Sequence, residues 1–256
     1  MRVANPVYPR NSLLSSGLSM RKLLSLSLLS TALTAIAAFA PAQAADPTTA
    51  EGPYAAPAQT GGWEISAYGG YQTAPHSDVE VSGMADFTAG WEGKSFASPP
   101  YWGVRGTYWF GGGALSNWGI SLDYTHAKVY ADDDTLAETG WSHFEFTDGL
   151  NLLTVNALYK FPIEGTRIAP YVGAGVGINI PHVEVTRGSG RTFDYQFGGP
   201  TVQVQAGVRY EFTDNWSAFA EYKGNYSWID VDIDSGDTLK TNILTNAVNF
   251  GVSYKF

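Results

Sequence analysis

The chain contains no cysteine and, past residue 44, no long apolar run. The first absence excludes a disulfide scaffold, so the fold must rest on packing and backbone pairing. The second excludes a membrane-spanning helix beyond that point, because such a helix needs about 20 predominantly apolar residues. Cations are scarce as well. Fifteen Lys and Arg stand against 24 Asp and Glu, and the net charge of −9 argues against a nucleic-acid partner. No dinucleotide-binding pattern is present, so neither flavin nor nicotinamide is expected. Gly188-Ser189-Gly190 reads as a turn with no helix after it to hold phosphate. What the chain does have is 14% aromatic residues and 29 glycines, a composition suited to β-structure with aromatic girdles and tight interior packing.

Its first 62 residues read as export and linker sequence. Met20-Arg21-Lys22 is a short basic start, 23–40 is apolar, and Ala42-Gln43-Ala44 offers a small-x-small cleavage site. Residues 1–44 are therefore expected to be a signal peptide with an upstream extension, removed after Ala44, the true start lying at Met1 or Met20. Residues 45–62, mostly Ala, Pro, Thr and Gly, predict a flexible periplasmic lead-in.

From Trp63 onward, segments of about ten residues alternate with period 2, the length of a tilted membrane strand. Eight strands are predicted, near 63–72, 101–110, 118–130, 151–161, 170–180, 201–212, 216–228 and 243–256. Short links (111–117, 162–169, 213–215) alternate with long ones (73–100, 131–150, 181–200, 229–242). This is the pattern of an all-β, antiparallel, up-and-down transmembrane barrel over 63–256, with both ends periplasmic and the long loops outside.

Side-chain parity tests that reading. One alternating set runs Trp63, Ile65, Ala67 on the first strand, Trp102, Val104, Tyr108 on the second, and Leu244, Val248, Phe250, Val252 on the last. Across all eight strands this set carries no charge. A lipid-facing Lys or Arg at mid-depth would cost about 2–4 kcal/mol, so the absence is what a barrel requires. The same set places Trp63, Phe110, Trp118, Phe161, Phe212, Trp216 and Phe256 at the short-turn end as a girdle. The opposite set holds Glu64, Arg105, Asp123, Lys160, Arg209, Glu211, Glu221, Lys223 and Lys255, with Gly173, Gly175 and Gly177 making room for long side chains. Eight strands leave an interior that side chains fill, so a plug is predicted and a small channel disfavoured.

All four histidines, His76, His126, His143 and His182, fall toward the long-loop end. Parity carries His126 and His182 onto the outward side above Tyr124 and Ile180, with Glu145, Asp148 and Asn151 between them in sequence. Such a set suits a general-base relay, or a site for a divalent redox-capable metal on His126, His182 and Asp148. His76, after Pro75, is placed nearby less firmly. Asp132-Asp133-Asp134 reads as a solvated acidic run, with calcium the alternative. The outer lip on the outward side is where a lipopolysaccharide headgroup would meet the barrel.

Two resemblances extend this reading. Residues 63–256 resemble the OmpA-type eight-stranded outer-membrane barrels, and Tyr254-Lys255-Phe256 resembles the C-terminal signal read by the outer-membrane assembly machinery. More narrowly, the chain resembles the alphaproteobacterial lipid A oxidases. Residues 63–77 carry that resemblance, with Gly90-Trp91-Glu92-Gly93-Lys94-Ser95-Phe96 and Pro99-Pro100-Tyr101-Trp102-Gly103-Val104-Arg105. So do Thr125-His126-Ala127-Lys128-Val129-Tyr130-Ala131 and Phe144-Glu145-Phe146-Thr147-Asp148-Gly149-Leu150-Asn151. The narrower resemblance implies oxygen-dependent oxidation of the proximal glucosamine of lipid A to 2-aminogluconate, releasing peroxide. Lys94, Arg105 and Lys128 are then expected to hold the lipid A phosphates. Geometry alone nominates His126, His182, Glu145, Asp148 and His76 as catalytic. A monomer is expected, and the competing reading is a non-catalytic OmpA-like structural or adhesion barrel.

Overall fold

The computed structural model describes residues 61–256 except Thr147 and Ser235. The expected signal peptide, and all but the last two residues of the expected lead-in, lie outside the described residues. In chain order the strands are β1 (Gly62–Thr73), β2 (Ser77–Val81), β3 (Phe87–Ala89), β4 (Trp91–Glu92), β5 (Trp102–Trp109), β6 (Trp118–His126) and β7 (Val129–Ala131). After a short helix, α1 (Asp133–Thr139), come β8 (His143–Phe146), β9 (Leu152–Lys160), β10 (Ile168–Asn179), β11 (His182–Arg187) and β12 (Gly190–Tyr195). The last are β13 (Gly199–Glu211), β14 (Trp216–Ile233) and β15 (Asp237–Lys255).

Eight of these form a closed antiparallel ring in the order β1-β5-β6-β9-β10-β13-β14-β15, sealed by the pairing of β1 with β15 from Glu64↔Lys255 to Thr73↔Asn246. Closure leaves no strand edge in lipid, and every ladder position is satisfied within the wall. The predicted parity is observed. Trp63, Ile65, Leu122, Val176, Val208 and Phe250 are exposed on the outside, while Glu64, Arg105, Asp123, Glu221 and Lys223 are buried inside.

The most deeply buried interior charges are paired, while Lys160 lies over the Trp109 ring, 4.6 Å from its centroid. Arg105 donates from Nε to Asp123 (2.9 Å) and from Nη2 to Glu221 (2.8 Å) and Gln205 (2.9 Å). Lys223 donates to Asp123 at 2.8 Å, Tyr68 to the same carboxylate at 2.6 Å, and Tyr171 to Glu221 at 2.7 Å. Nearer the short turns Arg209 pairs with Glu64. Ions this deeply buried persist only when partnered. The glycines of β10 make room for different neighbours than the sequence suggested. A Cβ at Gly173 would lie 2.4 Å from Leu158, at Gly175 2.1 Å from Asn156, and at Gly177 2.0 Å from the Leu153 carbonyl.

Beyond the barrel the structure departs from expectation. The long links are not open loops, and the predicted 229–242 loop is a continuation of β14 to Ile233 and of β15 from Asp237. The strand predicted over 118–130 stops at His126, and its remainder becomes β7 in a second sheet ordered β12-β11-β8-β7-β4. This sheet and the β2-β3 hairpin, which pairs with distal β15, enclose a core of Val79, Trp91, Val129, Phe144, Phe146 and Leu239. The result is a folded cap.

Parity along β14 explains the cap. Up to Trp228 the outward residues are apolar (Trp216, Ala218, Ala220, Tyr222, Tyr226, Trp228), and the inward ones include Glu221, Lys223, Asn225 and Ser227. From Ile229 the polarity inverts: Ile229, Val231 and Ile233 are buried inward, and Asp230 and Asp232 are exposed. Lipid around the lower wall demands apolar-out, and water around the cap demands apolar-in. The inversion marks where the wall ends and the cap begins. In α1, Asp132 is the N-cap, accepting from Thr135 N at 2.9 Å, which accounts for one acid of the triplet as a helix start.

Candidate functional site

The outer rim of β6 brings the predicted residues partly together. His126 ends β6 on the outward side and stacks on Trp102 of β5, with ring centroids 6.2 Å apart and planes 28° apart. Although parity points it outward, the ring is only 6% exposed. It is covered by the segment that turns into β9. Gly149, with φ +93°, runs so close that a Cβ there would fall 2.5 Å from His126 Nδ1. A bulkier residue would clash with the ring as well as strain the backbone.

Asn151, which sequence reasoning placed beside the site without giving it a role, is the hub of this arrangement. Its backbone is left-handed (φ +47°). The side-chain amide donates to the carbonyls of Asp148 (2.9 Å), Gly149 (3.1 Å) and Ile180 (3.1 Å). Its oxygen accepts from Tyr124 (2.6 Å) and lies 3.2 Å from His126 Nδ1. An asparagine tolerates this backbone region because its short side chain bonds locally. The signal available in sequence was weak, since Gly-x-Asn occurs in any turn.

His182 opens β11 on the other side of the same segment, its backbone N–H donating to Gly149 at 3.0 Å. The ring is 2% exposed, edge-on to Phe193 (4.5 Å) and against Tyr195 (4.7 Å). Its Nδ1 is 3.8 Å from Asp148 Oδ2, an ion-pair distance without a hydrogen bond. Burial, and then the Asp148 carboxylate, push the Tyr195 phenol up. His126, Asn151, Asp148, His182 and Tyr195 thus form one contiguous set at the lip.

Other predicted residues stand apart. Glu145 lies on the outer face of the cap sheet, opposite Tyr130 on one side and Glu184 on the other. Burial, and then Glu184, raise its carboxyl. Among the described residues no hydrogen bond or ion pair joins it to either buried imidazole, so it does not complete a relay with them. His76 is exposed between β1 and β2, and His143 is exposed at the start of β8. Arg105 is sealed in the interior by Asp123 and Glu221 and does not reach the lip, which removes it as a phosphate ligand. Lys94 and Lys128 converge on one aromatic ring, their ammonium groups 4.7 and 5.0 Å from the Tyr130 centroid. Lys94 also pairs with Glu92 at 3.1 Å. Lys128 is fully buried, donating to the Ala97 carbonyl at 3.0 Å, and burial lowers its pKa. Burial, then Glu145, push the Tyr130 phenol up to about 12.

The proposed metal set does not fit. Among the described residues no three His, Asp or Glu side chains gather closely enough to hold an ion. His126 is turned to Asn151 while His182 faces Asp148, so His126, His182 and Asp148 do not converge.

The family model of the outer membrane protein beta-barrel domain matches residues 30–256. Among solved structures the chain is similar to Neisserial surface protein A, at 21% identity over 76% of this chain and 97% of that one, TM-score 0.44. It is also similar to the outer membrane protein AlkL (19% identity, 84% and 97% covered, TM-score 0.49). OprG of Pseudomonas aeruginosa is a third such structure (16% identity, 77% and 96% covered, TM-score 0.40). No curated protein matches.

Proposed function

This chain belongs to the outer membrane protein β-barrel domain family, and from that premise we propose that it modifies lipid A at its outer lip. The finer reading is oxidation of the proximal glucosamine to 2-aminogluconate. The hemiacetal carbon loses its C–H hydrogen and the hydroxyl its proton. Two electrons and two protons pass to dioxygen to give peroxide and a lactone, which water opens to the acid. One observation carries the reading. Two buried imidazoles, each with a ring nitrogen lacking a hydrogen-bond partner, flank the Asp148–Asn151 segment where the wall passes into the cap. A glycolipid headgroup occupies that level, and the exposed Lys94 is assigned to its phosphates, whereas Lys128 is sealed against the Ala97 carbonyl and is not. His126 and His182 are assigned proton transfer and positioning, and no step is routed through a metal.

The competing reading, a non-catalytic surface barrel, is favoured by the compact apolar-cored cap. Expression in a host with 1-dephosphorylated lipid A, followed by mass spectrometry, separates the two. The oxidase reading expects a gain of one oxygen in that lipid. It expects a fall of about 10²-fold or more in that gain for His126→Ala, the size of a lost general base. A folded barrel with no gain leaves the surface-barrel reading standing.

A further inference from the structure

Above the wall, one strand of the cap does not follow its neighbour. In β14 the outward side turns acidic at Asp230 and Asp232, both exposed. The end of β12 runs beside it at the same height. Gln196 bonds the Asp232 backbone, its Nε2 donating to the carbonyl (2.8 Å) and its Oε1 accepting from the N–H (2.9 Å). The Asp230 N–H donates to the Gly198 carbonyl at 2.9 Å. Yet this stretch presents Phe193, Tyr195 and Phe197, which are 53%, 58% and 66% exposed. Alternation puts the three on one side. The ladder continues past Tyr195, because the N–H groups of Gln196 and Gly198 donate to the Pro181 and Asn179 carbonyls. The opposite side is the core, where Thr192 and its partner Val185 are buried. Successive side chains on one face of a strand lie about 6.6 Å apart, so the rings form a column about 13 Å tall. Arg191 stands at its upper end, 4.5 Å over the Phe193 ring and 3.0 Å from Glu184.

Neither hydrocarbon nor water suits this column. Hydrocarbon cannot cover it without also covering Asp230 and Asp232, and carboxylates are costly there. Water leaves three adjacent aromatic rings bare, an apolar patch of the kind that marks an interaction site. A saccharide suits both neighbours. The C–H faces of its rings cover aromatic ones, and its hydroxyls donate to carboxylates. The column also begins where the outward side of β13 ends, above Pro200 and Val202, so what rises past it is the headgroup of a surrounding lipid. We propose that Phe193, Tyr195 and Phe197 are a stacking surface for the saccharide of an outer-leaflet glycolipid. Asp232 on one border and Glu184, the ladder partner of Phe193, on the other accept from its hydroxyls. Carboxylates at both borders select sugar rings over phosphates. The assignment rests on the outer-membrane family and not on the oxidation of lipid A.

Because the chain has no cysteine, a photoreactive benzophenone can be attached at one chosen position. Full-length chains carrying Phe193→Cys, Phe197→Cys or, in the lipid-facing wall, Val176→Cys are expressed in cells with complete lipopolysaccharide, labelled and illuminated. Heat-modifiable migration on gels checks that each barrel has folded. All three positions should capture glycolipid, seen as a slower band that stains for carbohydrate. In cells whose lipopolysaccharide is truncated to lipid A, capture at Val176 should persist. Capture at Phe193 should fall about tenfold, the loss that corresponds to about 1.4 kcal/mol of contact removed. Equal capture at Phe193 in both backgrounds would put acyl chains on the column and overturn the proposal. A band of cross-linked barrels alone would also overturn it, by assigning the face to a second copy, and so would no capture at all. If Phe193→Cys fails to fold, Phe197→Cys decides by the same comparison. Oxidation of lipid A is read separately by mass. Capture without a gain of oxygen keeps this inference and removes the oxidase reading, and a gain without capture does the reverse.

Discussion

Glu145 and Glu184 face each other across the β8–β11 ladder, and the proximity raises the Glu145 carboxyl after burial has already done so. The folded chain therefore holds that proton more tightly than the unfolded chain. Folded molecules then bind more protons as pH climbs through and above the ordinary glutamate range, about 4.3, so stability falls across that window. Glu145→Gln removes the ionisation. Its melting temperature should exceed that of the unsubstituted protein at pH 7, and the two should converge below about pH 4, where both side chains are neutral. Thermal melts in detergent at the two pH values measure this, and an equal difference at both would refute it. At this scale the sequence revealed the outward placement of His126, because parity is a local property. The roles of Asn151 and Gly149 were hidden, since each depends on a backbone conformation that residue identity only permits. Arg105 misled for a related reason. Its inward parity was legible, but its depth relative to the lip was not, and the partners that bind it, Asp123 and Glu221, lie 18 and 116 residues away in sequence.

The elements divide the same way. Six of the eight wall strands follow the predicted bounds to within about four residues, since period-2 alternation of apolar residues is strong wherever lipid covers the outside. The last two run past the prediction. Alternation in β14 does not stop at Trp228 but changes sign, and a search for apolar-outward residues sees only half of it. The cap strands β7 and β8 were invisible because their partners are non-local: β7 pairs with β8 across α1, and β8 with β11 across two wall strands, whereas β11 and β12 form a local hairpin that lay inside a predicted loop. A lysine scan along the outward positions of β14 tests where the lipid ends. Ala220→Lys should cost about 2–4 kcal/mol of unfolding free energy in a bilayer and Asp232→Lys almost nothing, with the fall between Tyr226 and Asp230. A uniform cost along the strand would displace the boundary from Trp228.

As a whole the barrel is closed at two levels. The Arg105–Asp123–Glu221–Lys223 network fills the lower bore, and the apolar core of the cap fills the upper one. Between Arg105, Glu64, Tyr171 and Arg209 a cavity of about 20 Å³ remains, room for about one water molecule. No steady conductance is expected from the purified protein in planar bilayers, and stable single-channel steps would require a different interior. The seam that completes the ring has a further consequence, in time rather than space. Ser66 and Ser253 meet with their hydroxyl oxygens 2.8 Å apart, although 187 positions separate them along the chain. So distant a pairing defers its reward until the loop-closure entropy has been met, the feature that makes β-topologies slow to fold. Until β15 arrives, β1 has an open edge, and edges of that kind recruit other chains. The order of the strands therefore leaves β1 with one unpaired edge from the start of folding until the last strand is in place.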